Sequence, residues 1–182
     1  MRLTGLLLCL CLVACEEKAA EPSRSDFEQR ADAATKRFGR ELQAALEGAI
    51  AEGGPEHAIG LCNHMAPQIT SSHSVDGLRL RRVGVRVRNH ETNVPTDAER
   101  AAMMKLTREA PTTVATLNGK RKFLRAIYVG SPLCLNCHGT NIKPKVKEKL
   151  DELYPEDEAT GFFLGDLRGA FVVEEMQTWA AR

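Results

Sequence analysis

Aromatic residues are scarce: six Phe, two Tyr and one Trp make up 5% of the 182 residues. A core of ordinary size must therefore be filled by aliphatic side chains, or in part by a bound prosthetic group. No excess of charge exists either, since 25 Lys and Arg meet 24 Asp and Glu. That balance excludes a general nucleic-acid binder, which needs a basic surplus. The chain also lacks the roughly 20-residue apolar run that a membrane-spanning helix requires. Its longest run, Leu6 to Val13, falls far short. A second C-x-x-C or an H-x-x-x-H is absent, and no internal repeat is present.

What is there is enough for one domain, with 43% apolar residues to bury. Residues 1–14 read as a signal peptide, with Arg2 as a minimal positive region ahead of the apolar run. The run ends in Leu12-Val13-Ala14-Cys15, which resembles a bacterial lipobox. In such signals the cysteine thiol is alkylated by lipid and becomes the new N-terminus. The expected location is therefore the periplasmic side of the cell envelope, with a membrane anchor at Cys15. Glu16, where inner-membrane retention favours Asp, tilts this slightly toward the outer membrane. Residues 15–25 form a polar tether, and residues 26–182 the folded domain.

Six cysteines suggest three disulfides, but the count dissolves on inspection. Cys9 and Cys11 leave with the signal, and Cys15 takes the lipid. Cys134 and Cys137 belong to the string Cys134-Leu135-Asn136-Cys137-His138. Only Cys62 remains, an unpaired thiol in an oxidising compartment.

Periodicity predicts a long helix over residues 26–52, with Phe27, Ala31, Ala34, Phe38, Leu42, Ala45 and Ala49 on one face and Gly53-Gly54 as its stop. A second helix starts at Pro55 and runs toward Ser71, placing Ala58, Cys62, Met65 and Ile69 on one face, with a bend expected at Pro67. Leu78 and Leu80 alternate with arginines, and Val83, Val85 and Val87 alternate after a phase shift. The pattern reads as one bulged strand or two short ones. Thr96-Asp97-Ala98-Glu99 matches a capping box, opening a helix expected to reach Ala110 before Pro111. Val114 to Leu117 and Phe123 to Val129 form a hairpin around Asn118-Gly119. A charged helix over 145–153, a strand over Gly169 to Val173 and a closing helix over Glu174 to Ala181 complete an α+β order.

C-x-x-C-H has a direct chemical reason. Each of two thiols three residues apart can add its S–H across one vinyl group of the same porphyrin, and the adjacent histidine is then held as an axial ligand of the iron. The expected cofactor is one covalently attached haem c, on Cys134, Cys137 and His138, with Gly139 leaving room beside the ring. Zinc would need a second ligand pair, and a thioredoxin-like dithiol requires no histidine. For the sixth ligand the candidates are Cys62, His64, Met65, His73 and His90. His57, at the start of its helix, reads as solvated. His64 lies about 200° around the helix from Cys62, so both cannot face one haem. Cys62 is either a small buried hydrophobe or a thiolate ligand.

Four segments then carry a resemblance: Ala58 to Pro67, Arg86-Val87-Arg88-Asn89 through Val94-Pro95, Pro132 to Gly139, and Gly165-Asp166-Leu167-Arg168-Gly169-Ala170-Phe171. In this order they resemble the haem-c-binding PAS-like domain family, over roughly residues 30–180. The resemblance implies an α+β fold, with a PAS-like antiparallel sheet and flanking N-terminal helices. It also implies Cys/His axial ligation, with Cys62 at the cysteine position. The family often has Asn-Pro where this chain has Asn89-His90, which keeps His90 open as a ligand, a neighbour of the haem edge, or an exposed residue.

Arginines 79, 81, 82, 86 and 88 are candidates for pairing with haem propionates or, more blandly, the solvated face of a strand. Arg86 and Arg88 should share the face opposite Val85 and Val87. Lys143, Lys145, Lys147 and Lys149 read as a solvated helix surface, able to dock an acidic redox partner. Similar domains sit at the input end of histidine kinases and chemoreceptors, so the resemblance implies redox or gas sensing. No transmitter follows in this chain, so signalling through a separate partner is expected. A periplasmic electron-transfer cytochrome is the alternative. An enzyme is not expected, because no distal acid–base pair is evident.

Overall fold

The structure is a computed structural model that describes residues 24–72, 74 and 76–176. Residues 24, 25, 61, 62, 66 and 67 are described by their backbone alone. Residues 1–14, read above as a signal peptide, together with Cys15, His73 and the C-terminal residues expected to form most of a closing helix, lie outside the described residues. No described helix is long and apolar enough to cross a membrane.

The chain opens with α1 (Arg24–Ser72), which is two helices end to end. Gly53 and Gly54 interrupt it, and Gly54 takes φ +77°, a region open to glycine without strain. The expected face is the buried one: Phe27, Ala31, Ala34 and Phe38 pack with Leu78, Leu80, Phe123, Phe171 and Val173. Phe38 meets Phe171 edge to face at 5.2 Å between ring centroids. The few aromatics are thus concentrated at the centre of this layer, where each buries the most area.

Behind α1 lies one antiparallel sheet of four strands in the order β1-β4-β3-β2. Its members are β1 (Leu78–Gly84), β2 (Thr112–Leu117), β3 (Lys120–Tyr128) and β4 (Leu167–Glu175). The expected α+β class, with an antiparallel sheet behind N-terminal helical segments, is what the chain adopts. Asn118 (φ 53°) and Gly119 (φ 75°) form the hairpin turn, a pair of positive φ values that suits the strand twist.

Three expectations about the elements need correction. No bulge interrupts β1: it pairs with β4 in unbroken register from Leu78↔Glu175 to Gly84↔Gly169. The apparent phase shift arises because both sheet faces are covered. Leu78 and Leu80 pack toward α1, whereas Val83 packs on the other face with Met103, Leu106, Leu124, Ala170 and Val172. The capped helix α2 (Asp97–Met103) keeps its Thr96–Glu99 capping box but ends well before Ala110. The N–H of Leu106 bonds the carbonyl of Met103, which turns Leu106 into the same cluster, and Thr107 to Ala110 close their own turn. Lastly, Glu174 and Glu175 extend β4 rather than starting a helix, paired with Arg79 and Leu78 across the sheet. Their carboxylates meet Lys120 and Arg121 on β3, which anchors the strand end.

A 3-10 turn, Pro132–Cys134, leads into the short α3 (Leu135–His138), and α4 (Pro144–Leu153) follows. Val146 and Leu150 of α4 pack against Ile59 in the second half of α1. On its outer face Lys147 and Lys149 pair with Asp151 and Glu152 within the helix, the solvated surface expected of this run.

Candidate functional site

The cysteine–histidine string sits where the connection out of β3 turns toward α4. Ser131 caps the 3-10 turn by accepting from the Leu133 N–H, so that Cys134 closes one turn and Cys137-His138 the next. Gly139 then ends the helix. A Cβ there would stand 2.6 Å from the Leu135 carbonyl oxygen, so the residue is required by the helix end itself. Sequence reasoning had assigned it to room beside a ring.

Cys134 and Cys137 are both thiols and both half-buried. They pack against different clusters: Cys137 against Ile59, Val146 and Leu150, and Cys134 against Val129, Ala159 and Phe162. The string therefore bridges the α1–α4 layer and the loop leading into β4.

That loop orients His138. Backbone N–H groups of Phe162 and Gly161 donate to the carbonyls of His138 and Gly139, at 2.9 Å each. The His138 Nδ1 lies 2.6 Å from the Ala159 carbonyl oxygen. A carbonyl only accepts, so Nδ1 carries the proton and a neutral ring leaves its lone pair on Nε2. Burial, reinforced by the cations Arg88, Arg168 and Arg82, holds the imidazole well below the usual histidine pKa and so keeps it neutral. The Phe162 ring stands edge-on to His138, with centroids 6.3 Å apart.

Arg88 ties the parts together. Its guanidinium pairs with Asp157 (2.9 Å) and donates to the carbonyls of Cys137 (2.6 Å) and Ala159 (3.3 Å). Asp157 in turn accepts from the Ala159 N–H at 2.7 Å, fixing the carbonyl that orients His138. Arg86 stacks over the Phe162 ring, its guanidinium carbon 3.7 Å from the centroid. Neither arginine lies on an open strand face: β1 ends at Gly84, and the chain through Arg86 and Arg88 folds over the site. Arg168 approaches the same ring at 5.4 Å and donates through Nη1 to the Arg86 carbonyl. Its Nε is buried with no hydrogen-bond partner among the described residues. Of the remaining arginines, Arg79 is exposed and Arg81 pairs with Glu99, away from this cluster.

The proposed sixth-ligand candidates separate by position. The Cys62 side chain and His73 lie outside the described residues. His64 and His57 are exposed. Met65 is half-buried on the face it shares with Ala58. His90 is half-buried, and its Nε2 is enclosed without a partner, which removes the reading of a simply exposed side chain. Among the described residues no group of three or more His, Cys, Asp or Glu side chains is placed to hold a metal ion, as a zinc site would need.

A c-type haem fits these residues. Two thiols in C-x-x-C spacing, an imidazole anchored at Nδ1 with Nε2 left over, and a guanidinium whose Nε is enclosed without a partner among the described residues suit such a group. Sequence reasoning missed Phe162, Arg168, Asp157 and the Ala159 carbonyl. A lone arginine amid the apolar run Leu167 to Val173 was the one available signal. A backbone carbonyl leaves none.

The sequence profile of the Tll0287-like family matches residues 16–175. All four segments that carried the resemblance fall inside that span. Among solved structures, the "Crystal structure of the cyanobacterial heme-protein Tll0287" superposes with a TM-score of 0.66 at 22% sequence identity, covering 88% of this chain and 100% of that one. No curated protein matches.

Proposed function

The chain belongs to the Tll0287-like family, and on that premise we propose that it is an exported, lipid-anchored protein that carries one haem c and acts in redox or gas sensing. The observation that carries the reading is the His138 imidazole, fixed by its Nδ1–H bond to the Ala159 carbonyl directly beside two thiols in C-x-x-C spacing. Cys134 and Cys137 hold the group, and His138 offers Nε2 to the iron. The solved relative is itself titled a heme-protein, which supports the same assignment. When bound, the haem supplies an iron that changes oxidation state and, where a ligand leaves, binds a small molecule.

The protein's own residues set the conditions. The Ala159 carbonyl raises the basicity of His138, and Arg88 with Asp157 keeps that carbonyl in place. Cys62 would be the second residue to hold the iron, as the resemblance implies. Its position on α1 is one helical turn beyond Ile59, whose cluster Cys137 touches. Export and lipid attachment at Cys15 belong to this proposal, as do a separate signalling partner and the absence of catalysis.

The test is absorption and EPR spectroscopy of the matured protein, ferric and dithionite-reduced, beside Cys62→Ser. A c-type pyridine haemochrome with a thiolate-like ferric signal, lost in the variant, is expected. Binding of CO after reduction supports sensing. A ferrous iron that stays six-coordinate and closed to CO supports an electron carrier instead. Matured protein without covalent haem overturns the reading.

A further inference from the structure

Two guanidiniums lie beside the Phe162–His138 ring pair. Arg86 and Arg168 approach the same Phe162 ring, at 3.7 and 5.4 Å, and that ring stands against His138. No ion pair among the described residues involves either side chain, whereas the neighbouring Arg88 is matched to Asp157. Among the described residues Arg168 donates to a backbone carbonyl, that of Arg86, which carries no charge. Its Nε is enclosed with no acceptor among the described residues. A buried N–H left unpaired costs on the order of 1–3 kcal/mol, more on a charged group, so such an atom calls for a partner.

We propose that Arg86 and Arg168 receive the propionate carboxylates of the haem, with Arg168 as the buried anchor and Arg86 as its half-exposed companion. The inference rests on the haem assignment above and goes beyond it by naming the residues that meet the acidic edge of the group.

The chemistry matches on three counts. A guanidinium presents parallel N–H donors to a carboxylate, a geometry that a lysine cannot offer. The Phe162 ring excludes water from one side of both guanidiniums, which strengthens any ion pair formed there. The Arg86 carbonyl holds Arg168 through Nη1, so the edge that carries Nε is the one without a partner among the described residues. Electrostatics point the same way: burial first, then the neighbouring cations Arg88 and Arg82, lower the Arg168 pKa to about 9 against the opposing pull of Asp157. A carboxylate at this position would relieve both penalties. These are positioning residues, since they act on the edge of the group rather than on its iron.

The experiment compares matured wild type with Arg168→Gln, Arg168→Lys and Arg86→Gln. Covalent haem per chain is measured by pyridine haemochrome, the reduction potential by spectroelectrochemical titration, and the propionate bending bands by resonance Raman. The expected result is one covalent haem in every protein, a lower potential in both glutamine variants because a positive charge beside the ferric–ferrous couple is gone, and a shifted propionate band. Arg168→Lys should restore most of the potential while the band stays shifted, because the charge returns without the fork. A purely structural role would leave the band unmoved and give the lysine variant no rescue. If both glutamine variants carry haem with wild-type bands and potential, this inference is overturned while the haem assignment stands. Wild type without covalent haem overturns the assignment itself. Should Arg168→Gln fail to fold, the half-exposed Arg86→Gln gives the same readouts and decides alone.

Discussion

At Glu99 a fully buried carboxylate accepts from the Lys122 ammonium at 2.8 Å, from the Thr96 N–H at 2.9 Å and from Arg81. Around His138 the balance is reversed: Arg88 has Asp157, but the buried Nε of Arg168 has no partner among the described residues. The first cluster joins α2 to β1 and β3, the second surrounds α3, and both take ionised groups out of water at considerable cost. The first recovers that cost within the chain, since Lys122 also meets Glu174 at 3.4 Å. The second does not. A closed charge network holds the fold together, whereas an open one marks where something else belongs.

The largest effect on this contrast should come from Glu99→Ala, which leaves Lys122 buried without its main counter-ion. A loss of about 3–5 kcal/mol is expected in urea unfolding. A loss below about 1 kcal/mol would show that the network is not what secures α2 to the sheet.

Acid should act on the same cluster. Burial alone would raise the Glu99 pKa, but bonds from Lys122, Thr96 and Arg81 outweigh it and hold it at about 2, against 4.5 unperturbed. A depressed carboxylate contributes stability that is complete above its unfolded pKa and disappears as pH falls through the folded one. Unfolding free energy should therefore drop between about pH 5 and about pH 2. Glu99→Gln should flatten that part of the profile. An unchanged slope in the variant would assign the acid sensitivity elsewhere.

A smaller effect is expected from Asp157→Asn. The amide still accepts from the Ala159 N–H but no longer neutralises Arg88, so the His138 side becomes more open in charge. A cost of about 1–2 kcal/mol follows from weakening a charged hydrogen bond to a neutral one. Thermal or urea unfolding measures it, and a variant as stable as wild type would show that Arg88 is held by the carbonyls alone.

Much of this molecule was legible in its sequence. The Phe27-to-Phe38 face, the glycine break, the Thr96–Glu99 capping box and the Asn118-Gly119 turn each depend on residues close in the chain, so local pattern was enough. Element ends were less legible. The length of α2 and the continuity of β1 depend on which clusters Leu106 and Val83 join, and those partners lie far away in sequence. In the same way the arginine series looked like one solvated strand face, yet Arg81 joins Glu99 while Arg86 and Arg88 fold over His138.

The string Cys134-Leu135-Asn136-Cys137-His138 was readable by itself because its members are neighbours in the chain: two thiols and an imidazole on consecutive turns need no distant partner to be brought together. What holds the imidazole, and which arginines gather beside it, only the tertiary structure decided. The Ala159 carbonyl, Phe162 and Arg168 reach His138 from the far end of the chain, after the loop from α4 has closed against it. A carbonyl looks the same at every position of a sequence, and an arginine's counter-ion is a matter of distance in space. Coulomb and hydrogen-bond energies fall off over a few ångströms, so they are set by the packing that the sequence leaves implicit.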